Sequence, residues 1–327
     1  MTQTDHAQII AALWTAWTGS SADGLQRVAI AADRGVTGHV ERCTRGSLEA
    51  VVKIPGAQAD PAWAAREAFT LQHVLNPLDI LVPELLAQLP TERGPALLLS
   101  VCPGVDGDIA AEPDLDLARR VLAALEPLHA MQPEAQWMSH LPQWGAGTAG
   151  AARPHARRVR RFERRYKACL QAWGRPEDLP WLHTLAERML PTLEDDCARL
   201  VGLDTRVLHG DLHADNLRLD GRRVYVLDWQ STSRGAPLID TAYWLNVQMS
   251  HETASACNDL GRAHLEAVGA WPGAPYWQAA QRVGLSGTIS AYATRLPSMV
   301  CHREAAFVRR QLSSDGLSGV LAMSMRR

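Results

Sequence analysis

Lysine is nearly absent from this sequence. Of 33 basic residues only two are lysine, Lys53 and Lys167, so arginine occupies almost every position that carries a positive charge. A lysine in such a chain is of interest, because its compact ammonium group differs chemically from the forked guanidinium of arginine.

The formal net charge of -2 gives no global reason to expect nucleic acid or a membrane surface as a partner.

Other absences narrow the class of protein. The six cysteines include no Cys-x-x-Cys pair, which argues against a zinc site or a redox motif and favours reduced thiols. The N-terminus lacks the basic start and unbroken apolar core of a signal peptide. No apolar run is long enough to span a bilayer. We therefore expect a cytoplasmic protein with no membrane segment.

The sequence divides into two regions that differ in their predicted secondary structure. In residues 25–100, short strand-like runs alternate with turns, and one helix begins at Asp60 and Pro61, which suit a helix cap and first turn. From Glu112 onward, apolar residues at three- and four-residue spacing predict helices. The glycine- and aspartate-rich stretch from Cys102 to Asp108 marks the boundary. We predict an α+β fold: an antiparallel-sheet lobe with one main helix in residues 1–101, a larger helical lobe in residues 102–327, and a cleft between them.

The stretch "HGDLHADN", followed by "VYVLDWQ", carries the clearest chemistry. It contains Asp211 and Asn216, and a strand-like run then delivers Asp228. Phosphoryl transfer from a magnesium-bound nucleotide needs a carboxylate to accept the proton of the attacking hydroxyl and oxygen ligands for the metal. A loop that caps its own backbone is the structural alternative for Asp211 and Asn216. The position of Asp228 favours the catalytic interpretation.

These segments and the later "GAPLID" together closely resemble the aminoglycoside phosphotransferase and choline kinase-like family, relatives of the protein kinases. The family pattern is His-Gly-Asp-x-His-x-x-Asn, a hydrophobic run ending in Asp-Trp, and then Gly-x-Pro-x-x-Asp. The resemblance implies a protein-kinase-like fold, ATP or GTP as the nucleotide, and Mg²⁺. It implies Asp211 as the catalytic base, with Asn216 and Asp228 as metal ligands.

Three further residues in this region have supporting roles. We expect His209 and His213 to hold the loop by hydrogen bonds rather than to act in acid–base chemistry. The resemblance assigns Asp240 the task of bracing the catalytic loop. A favourable charge near a helix N-terminus is the alternative for Asp240.

Lys53 lies in "EAVVKIP", a strand-like run where a lysine ordinarily marks a sheet edge. In the kinase-like interpretation it contacts the nucleotide phosphates and pairs with a glutamate on the helix. Glu67 is the candidate, because Trp63, Thr70 and Val74 share its helix face. The alternative is that Glu67 is an exposed helix former.

The rest of the nucleotide site is less distinctive. "DRGVTGH" places Gly35, Thr37 and Gly38 between two strands, where backbone amides could approach a phosphate. An ordinary hairpin turn is the alternative. The family often has Ser/Thr-Asn in this loop, whereas here Thr37 is followed by a glycine. By resemblance, backbone groups from Ser100 to Cys102 would meet the adenine.

The short loop "WQSTSRGA" after Asp228 leaves no room for the long activation segment of protein kinases, so we predict a small-molecule hydroxyl acceptor. An aminoglycoside or another antibiotic is one acceptor class; choline, homoserine and sugars are alternatives. A non-catalytic nucleotide-binding protein of this fold is a further alternative.

A polycationic acceptor needs carboxylates in its binding site. The helical lobe offers five candidates, each of which could equally be an ordinary surface charge: Glu194, Asp195, Asp196, Glu252 and Asp259.

Two rival functions fit the sequence less well. "GDLH" also resembles the first element of metallophosphoesterases, but the later Gly-Asp-x-x-Asp and Gly-Asn-His segments do not follow it. The basic run from Arg153 to Lys167 could contact a polyanion. An apolar stripe of Val159, Phe162 and Tyr166 instead predicts an amphipathic helix with a solvated arginine face. We expect neither nucleic acid nor a membrane as partner, and the sequence leaves the oligomeric state open.

Overall fold

A computed structural model describes residues 3–30, 38–56, 60–107, 114–144, 164, 191–248 and 253–295 of the chain. The chain forms two compact units. The N-terminal unit comprises Met1–Asp106 and Asn216–Thr232, and the C-terminal unit comprises Gly107–Asp215 and Ser233–Arg327. The segment Asn216–Thr232 lies in the predicted helical lobe, yet it groups with the N-terminal unit because its contacts are there. The predicted lobe boundary at residue 101 stays a prediction.

The N-terminal unit is built on a five-stranded antiparallel sheet in the order β1-β2-β3-β5-β4. Its strands are β1 (Gln26–Ala29), β2 (Gly38–Arg45), β3 (Leu48–Pro55), β4 (Leu85–Leu89) and β5 (Ala96–Ser100). All five strands lie in the part of the sequence where alternating short strand-like runs and turns are predicted. Along β3, Ala50, Val52 and Ile54 are buried, as expected for a strand with one face on a core.

Helix α1 (Gln3–Thr18) covers one face of this sheet beside β4 and β5. Its residues Ile10, Leu13 and Trp14 are each 1% exposed and pack in one cluster with Val52 and Leu98. Burial of side chains of this size stabilises the fold by about 1.5–3 kcal/mol each. The spacing of these apolar residues along the sequence is typical of an amphipathic helix with one face on a core.

Helix α2 (Pro61–Phe69) is the one main helix predicted for this unit. The side chain of Asp60 caps it by accepting the N–H of Ala62 at 3.0 Å, and proline occupies the first turn, where its missing N–H costs nothing. A π-helical turn, Thr70–Val74, continues it. On the predicted inward face Glu67, Thr70 and Val74 are buried, and Trp63 is partly buried.

A second, three-stranded sheet explains why residues 216–232 belong to the N-terminal unit. Strands β8 (Leu217–Asp220) and β9 (Arg223–Val226) form a hairpin, and β6 (Val105–Asp106) pairs with β8. The 3₁₀ turn Trp229–Ser231 that follows packs on α2. The residues flanking the hairpin therefore approach α2 and β3.

The C-terminal unit is mainly helical. Its helices are α3 (Leu115–Ala130), α4 (Leu193–Val201), α5 (Leu238–Gln248), α6 (Ala254–Ala267) and α7 (Ala274–Arg295), and its one described strand pair joins β7 (Arg206–Leu208) to β10 (Ser233–Gly235). Helix α7 packs on α4 and α5, and α3 packs on α6 and β7. Strand β7 leads directly into the "HGDLHADN" segment.

The architecture confirms the predicted α+β class, with a small antiparallel sheet in one unit and helices in the other. None of the helices within the described ranges is long and apolar enough to cross a membrane. Four cysteines in the described part, Cys43, Cys102, Cys197 and Cys257, are free and buried.

Candidate active site

The predicted site residues fall into two groups, one in each compact unit. In the N-terminal unit, Lys53 on β3 lies between two carboxylates. Its Nζ donates to Oε1 of Glu67 at 2.7 Å and to Oδ1 of Asp228 at 2.6 Å. The contact predicted between Lys53 and Glu67 is present, and Asp228 arrives from 175 residues further along the chain. We call these three residues the ion-pair cluster.

The ion-pair cluster is partly shielded from water. The side chain of Glu67 is 2% exposed, whereas those of Lys53 and Asp228 are 24% and 27% exposed. Burial alone would lower the pKa of Lys53, but Glu67 and Asp228 outweigh it and raise that pKa above its ordinary value. Burial raises the pKa of Glu67, and the ammonium of Lys53 opposes this shift. Lys53 therefore keeps its positive charge at every physiological pH.

Asp228 is held in an unusual backbone conformation. Its φ of 62° and ψ of 63° lie in the left-handed region, and it is the one non-glycine residue with positive φ in the described ranges. Such a conformation costs about 1–3 kcal/mol and persists where surrounding contacts impose it, often at functional sites. Gln230 donates to Oδ2 of Asp228 at 3.0 Å, and Arg66 on α2 donates to the carbonyl of Gln230 at 2.9 Å. Both carboxylate oxygens of Asp228 thus have a donor.

Asn216 is hydrogen-bonded through its backbone to the residue just before Asp228. Its carbonyl accepts the N–H of Leu227 at 2.8 Å, one residue before Asp228, so the two residues flank the same end of the β8–β9 hairpin. Asn216 is 6% exposed. An amide oxygen and a carboxylate are hard oxygen donors of the kind that Mg²⁺ prefers, so this donor set fits the ion.

Within the described ranges, no group of three or more His, Cys, Asp or Glu side chains is arranged to hold a metal. Binding of Mg²⁺ at Asn216 and Asp228 stays a prediction.

In the C-terminal unit, the loop after β7 is anchored by Asp240. This carboxylate, in the first turn of α5, accepts the N–H of His209 at 2.6 Å on Oδ2 and the N–H of Gly210 at 3.0 Å on Oδ1. Asp240 is 1% exposed. Gly210 has a φ of 83°, a conformation that side-chain-bearing residues disfavour. The backbone immediately before Asp211 is therefore held from both oxygens of one buried carboxylate.

The two histidines of the loop differ. His209 is fully buried, and its Nδ1 accepts the N–H of Asp211 at 3.2 Å, so the ring proton of a neutral His209 lies on Nε2. His213 is partly exposed, with ring nitrogens 3.6 Å from Oδ2 of Asp211 and 3.8 Å from Oδ2 of Asp215. The side chain of Asp211 is 38% exposed. These contacts fit loop-holding roles for both histidines, which stay predictions.

Two residues that the sequence does not single out extend this network. His129 on α3 has its Nε2 3.4 Å from Oδ2 of Asp240, and its Nδ1 is 2.8 Å from Nε2 of His264 on α6. Both lie at apolar-face positions of amphipathic helices. A histidine on the apolar face of a predicted helix could have identified these two residues from the sequence, because a buried imidazole needs polar partners.

The predicted phosphate loop is represented by Gly38, because Gly35 and Thr37 lie outside the described residues. Gly38 begins β2 with a φ of 145°, and a Cβ there would overlap the carbonyl oxygen of Ile54. Gly38, Lys53 and Glu67 help to line a cavity of about 30 Å³. This volume suits about two water molecules, far less than a nucleotide needs.

The predicted hinge residues lie at the end of β5. The N–H of Ser100 donates to the carbonyl of Glu84 at 2.9 Å, and its hydroxyl accepts the N–H of Glu84 at 2.8 Å. Cys102 is 5% exposed, and burial raises the pKa of its thiol to about 11, so it remains a neutral thiol. Contact of this stretch with adenine stays a prediction.

The acidic residues that are candidates for acceptor binding differ in their exposure and in their ion pairs. Asp196 is 1% exposed and forms a two-pronged ion pair with Arg282, both contacts at 2.6 Å, so it joins α4 to α7. Glu194, Asp195 and Asp259 are exposed. Glu252 lies outside the described residues, as does the basic run 153–167 apart from the exposed Arg164.

Several solved structures have this fold. The structure of spectinomycin phosphotransferase APH(9)-Ia in complex with ADP and spectinomycin matches with a TM-score of 0.64 and 14% identity, covering 97% of this chain and 98% of that one. An aminoglycoside phosphotransferase from Alicyclobacillus acidocaldarius matches with a TM-score of 0.60 and 12% identity, covering 96% and 93%. Choline kinase from Cryptosporidium parvum Iowa II matches with a TM-score of 0.56 and 12% identity, covering 97% and 95%.

These likenesses confirm the protein-kinase-like fold. No curated protein matches this sequence significantly. The sequence model of the phosphotransferase enzyme family matches residues 32–281, which include the ion-pair cluster and the loop anchored by Asp240. The chain therefore belongs to the phosphotransferase enzyme family, and as a member it is a phosphotransferase.

Proposed function

We propose that this protein transfers the γ-phosphoryl group of ATP to a hydroxyl group of a small molecule, with GTP as the alternative nucleotide. The observation that carries the proposal is the ion-pair cluster, in which Lys53 bridges Glu67 and Asp228. Phosphoryl transfer depends on positioned positive charge beside the phosphates and on oxygen ligands for a metal. A buried glutamate that orients a lysine toward a partly exposed aspartate supports that chemistry.

In the proposed reaction the chain's own residues bind, orient and move one proton. Lys53 donates to phosphate oxygens of the nucleotide, and Glu67 fixes the direction of its ammonium group. The carboxylate of Asp211 takes the proton of the acceptor hydroxyl as its oxygen bonds to the γ-phosphorus. The bond between the γ-phosphorus and its bridging oxygen breaks, and that oxygen leaves with the electron pair on ADP.

Asn216 and Asp228 would hold the metal, and a bound Mg²⁺ supplies charge neutralisation between the nucleotide phosphates. The hydrogen bond from Gln230 to Oδ2 of Asp228 keeps this carboxylate in one orientation. The anchored backbone of His209 and Gly210 limits the positions open to Asp211. These roles explain why one short segment of the chain is so polar between apolar flanks.

For the acceptor, we propose an aminoglycoside or another hydroxylated antibiotic, with choline, homoserine and sugars as the alternatives. The fold shared with a spectinomycin phosphotransferase supports the first class, and the fold shared with a choline kinase supports the second. The ion pair of Asp196 with Arg282 removes one carboxylate from those available to a polycation. We propose a cytoplasmic location, supported by cysteines that lack metal or redox spacing.

The test is release of ADP by the purified protein with Mg-ATP and each acceptor of a panel of aminoglycosides, other hydroxylated antibiotics, choline, homoserine and sugars. We expect one acceptor class to stimulate ADP release. Asp211→Asn should lower turnover by about a hundredfold or more, the usual scale for loss of a general base. Near-normal turnover in this variant would remove Asp211 from the role of base.

Asp220→Asn is the matched control, because Asp220 is an exposed aspartate only nine residues further along the chain, at the turn of the β8–β9 hairpin. It makes the same chemical change and should leave turnover unchanged. Binding of Mg-ATP without acceptor-dependent ADP release across the panel would instead favour a non-catalytic nucleotide-binding protein.

A further inference from the structure

Three buried titratable residues from three different helices meet in the C-terminal unit. They are His129 on α3, Asp240 on α5 and His264 on α6, which are 0%, 1% and 8% exposed. Burial of polar groups is costly unless their hydrogen bonds are satisfied. The family motif accounts for Asp240 alone, so the two histidines call for an explanation of their own.

The hydrogen bonds among them have a defined direction. An ionised carboxylate only accepts hydrogen bonds, so Nε2 of His129, 3.4 Å from Oδ2 of Asp240, carries a proton. In a neutral ring Nδ1 of His129 is then unprotonated and accepts the Nε2–H of His264 at 2.8 Å. Burial, aided by the neighbouring His129, lowers the pKa of His264 to about 3, so His264 is a neutral donor.

The chain of hydrogen bonds ends at the loop that carries Asp211. His264 donates to His129, His129 donates to Asp240, and Asp240 accepts the backbone N–H groups of His209 and Gly210. We propose that His129 and His264 are positioning residues: as a histidine dyad they fix the orientation of the Asp240 carboxylate, and through it the backbone conformation that places Asp211. This inference rests on the proposed function of Asp211.

The packing supports the direction of this influence. Helix α3 contacts both α6 and β7, and β7 ends at Leu208, directly before His209. The rings of His129 and His264 lie 5.1 Å apart, centre to centre, at 68° to each other. The dyad thus lies where α3 and α6 pack against each other, and α3 also contacts the strand that leads into the loop.

The test compares two variants of His264. His264→Leu removes the donor to His129, whereas the amide of His264→Gln can still donate a hydrogen bond. We expect kcat to fall about tenfold in His264→Leu, the scale of one hydrogen bond lost in the transition state, with KM for ATP unchanged. His264→Gln should keep kcat within about twofold of wild type.

Leu265→Ala serves as the matched control for stability. Leu265 is the next residue on α6, is fully buried, and has an apolar side chain that can neither donate nor accept a hydrogen bond. It should lower Tm at least as much as His264→Leu while retaining kcat. An equal fall of kcat in Leu265→Ala and His264→Leu would show that the two histidines contribute only by packing in the core, and it would overturn the proposal.

Two NMR measurements test the dyad without any turnover. In ¹⁵N-labelled wild type we expect proton-bearing Nε2 atoms in both histidines and an unprotonated Nδ1 in His129. Hydrogen exchange of the His209 and Gly210 amides should be slow in wild type and in His264→Gln, and faster in His264→Leu. A doubly protonated His129, or exchange rates that do not change in His264→Leu, would overturn the proposal.

These readouts separate failure of the dyad from failure of the proposed function. If no acceptor supports turnover in wild type, the proposed function fails, yet ring protonation and amide exchange still decide whether the dyad holds the loop. If turnover is present and the amides of His264→Leu exchange as in wild type, the proposed function stands and the dyad is refuted.

Discussion

Replacement of Lys53 by methionine tests the electrostatics of the ion-pair cluster. The change removes the ammonium group that donates to Glu67 at 2.7 Å and to Asp228 at 2.6 Å, while it keeps much of the apolar stem. Asp228 retains the donor Gln230 and some contact with solvent. Glu67, at 2% exposure, is left as a buried carboxylate without its counter-ion. Loss of one partner of a buried ion pair costs about 3–5 kcal/mol.

Glu67 can limit this cost by taking up a proton. Neutralising a carboxyl group whose unfolded pKa is about 4.3 costs about 1.4 kcal/mol per pH unit above that value, or about 3.7 kcal/mol at pH 7 and about 1 kcal/mol at pH 5. The folded variant would then bind a proton that the unfolded chain does not bind, so its stability rises as pH falls. We expect Lys53→Met to be about 3–4 kcal/mol less stable than wild type at pH 7 and about 1 kcal/mol less stable at pH 5.

Urea unfolding at pH 7 and pH 5, followed by tryptophan fluorescence, measures these differences. The control is the double variant Lys53→Met, Glu67→Leu, which has no buried carboxylate and should recover much of the lost stability at pH 7. An equal loss in Lys53→Met at both pH values would contradict this prediction, because it would show that Glu67 takes up no proton in the folded variant.

Three further changes test other parts of the structure. Asp228→Ala should reduce the advantage of Mg-ATP over metal-free ATP in calorimetric binding by about tenfold or more, and unchanged Mg²⁺ dependence would count against its role as a ligand. Asp240→Asn places an amide donor against backbone N–H groups, so it should lower unfolding free energy by about 1.5–3 kcal/mol and also reduce kcat; unchanged values of both would exclude the bracing role. Gly261→Ala puts a Cβ 2.5 Å from Trp277 and should destabilise by about 1–3 kcal/mol in urea, whereas Gly202→Ala, whose nearest neighbour is 3.8 Å away, should not.

The elements of the N-terminal unit could be predicted because their signals are local. Helix α2 follows a capping aspartate and a first-turn proline, and β3 is a β-branched run whose alternate residues are buried. The pairing of Lys53 with a helix glutamate was implied by the kinase-like resemblance, and the helix face that Glu67 shares with Trp63, Thr70 and Val74 identified Glu67 as that glutamate. The helix and strand predictions needed only a few neighbouring residues.

The placement of residues 216–232 could not be predicted in the same way. It depends on a pairing of β8 with the two-residue strand Val105–Asp106, more than 100 residues earlier, and on contacts with α2. Such short pairings have no periodicity to detect. The hydrogen bond from Arg66 to the carbonyl of Gln230 leaves no signal in the sequence either, because every residue has a carbonyl group.

Phosphoryl transfer with Asp211 as the base is tested most directly by ³¹P NMR of wild type and Asp211→Asn with Mg-ATP and the acceptor panel. We expect the γ-phosphate signal of ATP to be replaced by that of a phosphate monoester of one acceptor class, in wild type and not in Asp211→Asn. Appearance of the γ-phosphate only as inorganic phosphate with every acceptor would contradict the proposed function, and so would formation of the monoester by Asp211→Asn as fast as by wild type.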